Sequence, residues 1–244
     1  MLSGLLVCVL VVGAVASKPG MPSGAARGGL QVGQEEPERC CAPRYFTADH
    51  FLTSTTVKEG KLSVEIDEVN GAYDAVFERL ALKVVVDYLN GTEVHLKFIG
   101  LYEEGVTYTI LEHQGESVCF KGETQERFHE DCLTEDFKFI GKTTLGDFDM
   151  VVENWYRVSE DGTAHTVKSV QEEGCTPVGA LTRMLDSVTG DEIAVLEART
   201  FNFELGICDP EEFKPPESCD EGRALKKPSP EMVKFHSKNI LGRL

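Results

Sequence analysis

The sequence predicts an all-β protein whose antiparallel strands form a sandwich or a half-barrel. Apolar and polar residues alternate with a period of two in several segments, which is typical of half-buried strands. Turn signals centred on glycine recur roughly every ten residues, as they do between short antiparallel strands. The last alternating segment ends before Pro215 and Pro216, which can neither continue a helix nor donate to a central strand ladder.

The first clear hairpin lies in the middle of the chain. Val94, Leu96 and Phe98 alternate with polar residues, and a second alternating strand runs from Val106 to Ile110. Glu103–Gly105 separates the two strands, and its glycine can adopt the positive φ that a tight turn needs.

Two more strand pairs are predicted further along the chain. A strand from Phe148 to Tyr156 is followed by the turn Glu160–Gly162 and a strand that reaches Val170. The next pair, Val178–Ser187 and Ile193–Leu205, is joined around Gly190.

The segment Glu68–Gly91 gives conflicting signals. Val76, Leu80, Val84 and Tyr88 recur every four residues, which favours a helix, whereas the run Val84–Val86 is β-branched and favours a strand. We predict strand for this segment.

The ends of the chain differ from its centre. Residues 1–16 have the short apolar run and small residues of a secretory signal peptide, with cleavage before Ser17. Residues 17–39 are rich in Gly and poor in large apolar side chains, which predicts a disordered linker. Residues 40–219 form the predicted β domain. Residues 220–244 are a basic tail, and Met232–Leu244 could form an amphipathic helix on a lipid surface or lie on the protein's own acidic surface.

Composition limits the function classes. The chain has 244 residues and a net charge of −17, which argues against a nucleic-acid-binding surface. We expect a secreted, extracellular protein, and the sequon Asn90-Gly91-Thr92 predicts a glycoprotein.

Cysteine usage agrees with export. Cys8 is lost with the signal peptide, and the seven remaining cysteines are expected to form mostly disulfides. Because seven is odd, one thiol is left either free or bridging two copies into a homodimer.

The sequence carries no persuasive catalytic motif, so we predict no enzymatic activity. The histidines show no metalloprotease spacing, and Gly-x-Ser-x-Gly is missing. His129–Cys132 contains several residue types that can bind metal ions, but we interpret it as a polar turn. We interpret His95 as a surface residue.

Three motifs together resemble the ependymin-related proteins of the invertebrate type. They are Cys40-Cys41-Ala42-Pro43, the hairpin Tyr102–Ile110 followed by Cys119-Phe120-Lys121, and the stretch from Cys175-Thr176-Pro177-Val178 to Cys219, which contains Gly206-Ile207-Cys208-Asp209-Pro210. The motifs occur in the family's order and extend from Cys40 to Cys219.

The resemblance implies curved antiparallel sheets, similar to bacterial lipoprotein carriers, around a hydrophobic cavity. It implies that some strand aromatics line that cavity, the candidates being Tyr102, Tyr108, Phe148, Trp155, Phe201 and Phe203. It also implies the disulfides Cys40–Cys175 and Cys119–Cys219. Cys41, Cys132 and Cys208 are extra to the family pattern, with Cys41–Cys208, Cys132–Cys208 and intermolecular bridges all open.

The resulting hypothesis is a secreted non-enzymatic glycoprotein that holds a hydrophobic molecule, foremost a lipid, in its cavity. Family members are also described as calcium-binding, and acidic residues supply the oxygen ligands that calcium needs. Asp147–Asp149 and Asp209–Glu212 are the densest carboxylate groups, although no EF-hand loop is present and the metal ligands are unknown. The alternative is an extracellular-matrix, adhesion or biomineral component that binds calcium through its acidic surface.

Overall fold

The structure is a computed structural model that describes residues 35–219 apart from residues 59, 89–92, 114–115 and 148. The predictions for the signal peptide, most of the linker, the basic tail, Asn90 and Phe148 therefore lie outside the described residues. Among the described residues, no helix has the length and apolar character needed to cross a membrane.

In the part of the chain that the structure describes, eleven antiparallel strands make up one sheet. They are β1 (Tyr45–Lys58), β2 (Lys61–Asp74), β3 (Arg79–Tyr88), β4 (Glu93–Leu101), β5 (Val106–His113), β6 (Glu116–Glu123), β7 (Lys138–Leu145), β8 (Met150–Val158), β9 (Ala164–Gln171), β10 (Pro177–Leu185) and β11 (Glu192–Leu205). Two short 3-10 helices follow, at Pro210–Phe213 and Glu217–Cys219. The all-β prediction is confirmed, and the strand prediction for Glu68–Gly91 is correct where β2 and β3 are described.

The strand order is β6-β5-β4-β3-β2-β1-β11-β10-β9-β8-β7. The sheet thus consists of two meanders, β1–β6 and β7–β11. They join in the middle of the sheet, where β1, the first strand of one, pairs with β11, the last strand of the other. A single sheet has no second sheet to pack on, so the half-barrel alternative is the one observed and the sandwich is not.

Residues 124–137, the crossover segment, connect the two edge strands β6 and β7. A flat sheet of eleven strands is about 48 Å wide, close to the full extension of this segment. Yet Phe128 contacts β2, while Leu133 and Phe137 pack against β8 and β9. The segment therefore runs across one face of the curved sheet and contacts both meanders, and we call the face that it covers the inner face.

The outer face of β2–β6 is covered by residues 206–219, the exit segment. Phe213 is buried against Ala72 and Ala81, and its ring lies 4.2 Å from the Arg79 guanidinium carbon. Asp209 caps the first 3-10 helix by accepting a hydrogen bond from the Glu211 backbone N–H at 3.0 Å. The first meander is therefore buried on both of its faces.

Within the described residues, three disulfides join the termini of the domain to the sheet and the crossover. Cys40–Cys175, Cys41–Cys132 and Cys119–Cys219 link residues 135, 91 and 100 positions apart. In the loop-entropy model each closure of this length stabilises the fold by about 4–5 kcal/mol, although such contributions do not simply add.

Candidate ligand cavity

A cavity of about 480 Å³ lies between the inner face of the sheet and the crossover segment. This volume falls within the usual range of small-molecule sites. Its sheet wall comes from both meanders and includes Phe46, His50, Gly71, Tyr73, Leu80, Leu82, Tyr102, Arg157, Thr166, Lys168, Pro177, Gly179, Ala180, Thr182, Ala198 and Thr200. Its roof is formed by residues 126–132 with Thr134 and Phe137.

The wall on the first meander is aromatic. Phe46 stacks on Tyr73 with ring centroids 4.9 Å apart, and Phe128 of the roof contacts Tyr73 at 5.2 Å and Tyr102 at 5.5 Å. Burial raises the pKa of both Tyr73 and Tyr102 to about 12, so both phenols are neutral. This wall offers an apolar surface with two uncharged hydroxyls.

The wall on the second meander is made of small and hydroxyl-bearing side chains. The hydroxyls of Thr166 and Thr182 are 3.1 Å apart, and Ala180 and Ala198 face each other across β10 and β11. At Gly179 an added Cβ would lie 2.6 Å from the Ala198 carbonyl oxygen, so this close approach of two strands requires glycine. Short side chains leave the space that larger residues would fill.

The two cations of this wall already have acidic partners. The Lys168 ammonium donates to Asp131 of the crossover segment. The Arg157 Nε lies 3.6 Å from Asp136 Oδ2, and its guanidinium sits 4.7 Å from the Phe137 ring centroid. The cavity wall is therefore close to electrically balanced although the chain as a whole is strongly acidic.

His50 is a buried polar residue in the floor of the cavity, 8% exposed. Its Nδ1 is 3.2 Å from the Thr200 hydroxyl, which lies opposite it on β11. Burial lowers the pKa of His50 to about 4, and the neighbouring Asp49 offsets only part of that effect. The imidazole is neutral at physiological pH.

The roof is anchored by backbone and side-chain contacts. The Asp131 backbone N–H donates to the Tyr73 hydroxyl at 3.1 Å, and the Leu133 N–H donates to the Cys40 carbonyl at 2.9 Å. Cys132 of the roof is bonded to Cys41, which precedes β1. The crossover is thereby held to the centre of the sheet above the cavity.

Two of the predicted cavity aromatics have clear positions. Tyr102 lines the cavity. Tyr108 does not, because it is buried on the outer face with Ile99, Cys119 and Cys219 beneath the exit segment. The prediction that Tyr108 lines the cavity is therefore wrong. Because β5 is covered on both faces, a buried aromatic residue on it can lie on the outer face as well as on the inner one.

Three further candidates also lie outside the cavity. Trp155 is fully buried under Leu133 and Phe137, so it is core beside the cavity. Phe201 is 49% exposed on the outer face. A bulge where Asn202 has a φ of 47° breaks the alternation, so Phe203 instead packs on Phe46 with ring centroids 4.8 Å apart. Neither Phe201 nor Phe203 contributes to the lining.

The structure contains both disulfides that the family resemblance implies, Cys40–Cys175 and Cys119–Cys219. Cys41 bonds to Cys132, so neither of them forms the alternative bridge to Cys208. Cys208 is not a free thiol either. Cys41, Glu130 and Cys132 lie close enough to hold a metal ion, but the disulfide removes the two thiolates that such a site would need.

The carboxylates of Asp209–Glu212 have structural partners. Asp209 caps a 3-10 helix, and Glu212 contacts Lys83 at 2.6 Å and Lys97 at 3.7 Å. These contacts attach the exit segment to β3 and β4. They give no support to a calcium site there, and Asp147–Asp149 includes a residue outside the described part of the chain.

Sequence reasoning missed most of the cavity. Residues 129–132, interpreted as a polar turn, belong to the roof, and Phe128, His50 and Thr200 were not singled out. Alternation along β1 and β11 predicts which residues share a face. It does not predict that a segment between distant edge strands will cover that face.

These features define a class of protein: an open, curved antiparallel sheet that holds a cavity under a disulfide-anchored crossover. A family model for ependymin matches residues 90–219, more than half of the chain. The chain belongs to the ependymin family, as its three sequence motifs predict.

Three solved bacterial structures are similar to parts of the fold. A putative outer membrane lipoprotein-sorting protein domain from Vibrio parahaemolyticus is 9% identical with a TM-score of 0.32, and the match covers 69% of this chain and 89% of that one. A DUF1329 family protein from Desulfovibrio piger is 7% identical with a TM-score of 0.24, covering 72% and 92%. A β-barrel-like protein of the DUF1849 domain from Brucella abortus is 10% identical with a TM-score of 0.24, covering 69% and 100%.

At these TM-scores the likenesses carry no conclusion about function. No curated protein matches the chain. The function is therefore argued from the cavity itself.

Proposed function

We propose that this protein is a secreted, non-enzymatic carrier that holds an apolar small molecule, foremost the hydrocarbon chain of a lipid, in the cavity beneath the crossover segment. The observation that carries the proposal is a cavity of about 480 Å³ with an aromatic wall, enclosed between the sheet and the crossover segment. Each Å² of apolar ligand surface buried there contributes about 25 cal/mol to binding before the costs of association.

The wall is built so that the space stays open. Small residues, Gly71, Gly179, Ala180 and Ala198, lie where larger side chains would close it. A Cβ added at Gly71 would meet Leu82 Cδ2 at 3.2 Å, which shows how close the neighbouring side chains already are. The cavity is thus a consequence of small residues and not of a loosely packed core.

The chemistry of His50 supports a binding role over catalysis. It is the histidine in the sheet wall, and a pKa of about 4 makes it a poor general base at neutral pH. Its Nδ1 is occupied by Thr200 and not by a carboxylate that could orient it for proton transfer.

Secretion is supported by the disulfides and by the composition of residues 1–16. Three disulfides among the described residues fit an oxidising compartment. Glycosylation at Asn90 is part of the proposal and is tested by the mass of the secreted protein before and after removal of N-glycans.

Calcium binding, a homodimer and the matrix alternative gain no supporting contact in the described residues, so they are not part of the leading proposal. Calcium-dependent oligomerisation of the secreted protein, measured by light scattering with and without chelator, would favour the matrix role.

The test uses two neighbouring residues of β10 that point to opposite faces. Ala180 lines the cavity, whereas Leu181 is 40% exposed on the outer face. We expect Ala180→Phe to fill the cavity and weaken binding of Nile red, a neutral apolar probe, by at least tenfold. Leu181→Phe is the matched control and should bind as the unmodified protein does.

Two readouts accompany the titration. Native mass spectrometry of the secreted protein should show a lipid that organic extraction removes, and circular dichroism should show both variants folded. If Ala180→Phe folds and binds the probe with unchanged affinity, the cavity is not the binding site and the proposal fails.

A further inference from the structure

The sheet side of the cavity contains a buried polar residue, His50, whose ring the packing leaves open to a ligand. His50 is more than nine-tenths buried and lines the cavity, and its Nδ1 pairs with the Thr200 hydroxyl at 3.2 Å. Among the described residues, its Nε2 has no hydrogen-bond partner. That nitrogen lies 3.7 Å from the place where a side chain at Gly71 would begin, so the glycine keeps the ring edge accessible from the cavity.

His50 Nε2 faces the cavity, where water solvates it while no ligand is bound. An apolar ligand end would displace that water without replacing its hydrogen bond, which costs free energy. A ligand that bonds to Nε2 avoids that cost. The position of Nε2 therefore selects among ligands that would otherwise bind through their apolar chains alone.

We propose that the cavity takes a neutral lipid whose polar end is a hydroxyl group, such as a long-chain alcohol or a sterol, and that this hydroxyl bonds to His50 Nε2. The inference rests on the proposed function, since the chain of the same ligand fills the cavity.

The choice of a hydroxyl follows from the two tautomers of the ring. If Thr200 donates to Nδ1, then Nε2 carries the proton and donates; if Nδ1 donates to Thr200, then Nε2 accepts. A hydroxyl is both donor and acceptor, so it satisfies Nε2 in either state. A carboxylate only accepts hydrogen bonds, so it can pair with Nε2 only when Nε2 carries the proton. A halide is a weak acceptor and an alkyl end neither donates nor accepts, so neither forms a good hydrogen bond with either tautomer.

Charge also disfavours an acid. The wall cations Lys168 and Arg157 are engaged by Asp131 and Asp136, and the roof carries Arg127 together with Glu126 and Glu130, so the lining has no net positive charge to attract an acid. A carboxylate placed beside neutral His50 would lie in an apolar floor made by Leu82 and Ala198, where burying its charge costs more than burying a hydroxyl.

The experiment compares ligands of one chain length that differ only at the end. They are 1-dodecanol, dodecanoate and 1-fluorododecane, measured at pH 8 by displacement of Nile red from the full-length secreted protein. We expect the alcohol to bind about tenfold more tightly than the fluoride and at least tenfold more tightly than the carboxylate, the value of one buried hydrogen bond.

Two variants locate the effect. His50→Phe removes both nitrogens and should reduce the alcohol-to-fluoride preference to about one while fluoride binding is retained. Thr200→Val removes the partner of Nδ1 but leaves Nε2 in place, so the alcohol-to-fluoride preference should persist, because a hydroxyl satisfies Nε2 in either tautomer. Thr47→Val, a half-buried strand position in β1 whose backbone partner is Ala72 on the outer face, is the matched control and should keep the preference.

The outcomes separate this inference from the proposed function. Tenfold selectivity that His50→Phe abolishes and Thr200→Val retains supports it. Equal binding of the three ligands, tighter binding of dodecanoate, or selectivity unchanged in His50→Phe overturns it while the carrier proposal stands. If none of the ligands displaces the probe and the probe itself does not bind, the carrier proposal fails and this inference fails with it.

Discussion

The two meanders of the sheet are packed in different ways. The first, β1–β6, buries its inner face in a cluster that includes Leu82, Val84 and Phe98, and buries its outer face under the exit segment. The second, β7–β11, is covered by the crossover on the inside and leaves Leu181, Ile193 and Phe201 exposed outside.

This difference in packing distinguishes the parts of the sheet that stabilise the fold from the parts that are available to bind a ligand. In the first meander large apolar side chains fill the outer side and the inner side beyond the cavity, so these parts behave as an ordinary core, while an aromatic surface with His50 faces the cavity. In the second meander small and hydroxyl-bearing side chains face the cavity, so part of its inner surface is available to a ligand. We infer that substitutions on the outer face of the first meander act mainly on stability, and that substitutions in the cavity wall of either meander act mainly on ligand binding.

The largest expected effect tests the double covering of the first meander. Phe213→Ala removes a ring that is 3% exposed and should lower the free energy of unfolding by about 4 kcal/mol, because it leaves a cavity under the exit segment. Phe201→Ala is the matched control at a half-exposed ring of the second meander and should cost less than 1 kcal/mol. Urea denaturation measures both, and equal losses would contradict the comparison.

The next effect concerns the pH dependence of stability. The pKa of His50 is about 4 in the folded state and 6.5 in the unfolded state, so the unfolded chain binds the proton first as pH falls. Stability is intact above pH 6.5 and decreases between pH 6.5 and 4 by about 3 kcal/mol from this residue.

We expect His50→Gln, which does not titrate, to remove this part of the pH dependence. The exposed His95→Gln is the control and should leave the curve as it is. Urea midpoints at intervals of half a pH unit measure the difference, and parallel curves for the unmodified protein and His50→Gln would show that burial of His50 has no such effect.

A smaller effect tests how the crossover is held to the second meander. Lys168→Met leaves Asp131 without its cation in a mostly buried site and should destabilise the fold by about 2 kcal/mol. Hydrogen exchange at the backbone of residues 126–134 should accelerate if the crossover loosens. Lys121→Met, an exposed position of edge strand β6, is the control, and similar exchange in both variants would contradict the assignment.

The smallest expected effect is at the cap of the exit segment. Asp209→Ala removes the side-chain oxygen that accepts from the Glu211 N–H and should cost about 1 kcal/mol. Asp209→Asn keeps an accepting oxygen and should recover most of the loss in the same denaturation assay. Failure of the Asn variant to recover stability would mean that the charge of Asp209, through another contact, matters more than the cap.

Several features could be predicted from the sequence because they depend on short stretches. Alternation identified the hairpin around Gly105 and the strands that meet near Gly190, since strand period and turn residues are local properties. The resemblance in the cysteine motifs implied two disulfides that the structure contains. The bulge at Asn202 could not be predicted, because one residue with positive φ reverses the faces that follow it.

The sequence by itself determined the all-β class and the antiparallel pairing of neighbouring strands, since period and turn chemistry act locally. The chain leaves the sheet at Leu205, before Pro215 and Pro216, so these prolines do not set that exit. Only the tertiary structure decided that β1 pairs with β11, that residues 124–137 cover the inner face, and that His50 and Thr200 meet 150 positions apart. These contacts depend on the curvature of the whole sheet and on which small residues oppose one another across it. No local pattern in the chain records either property.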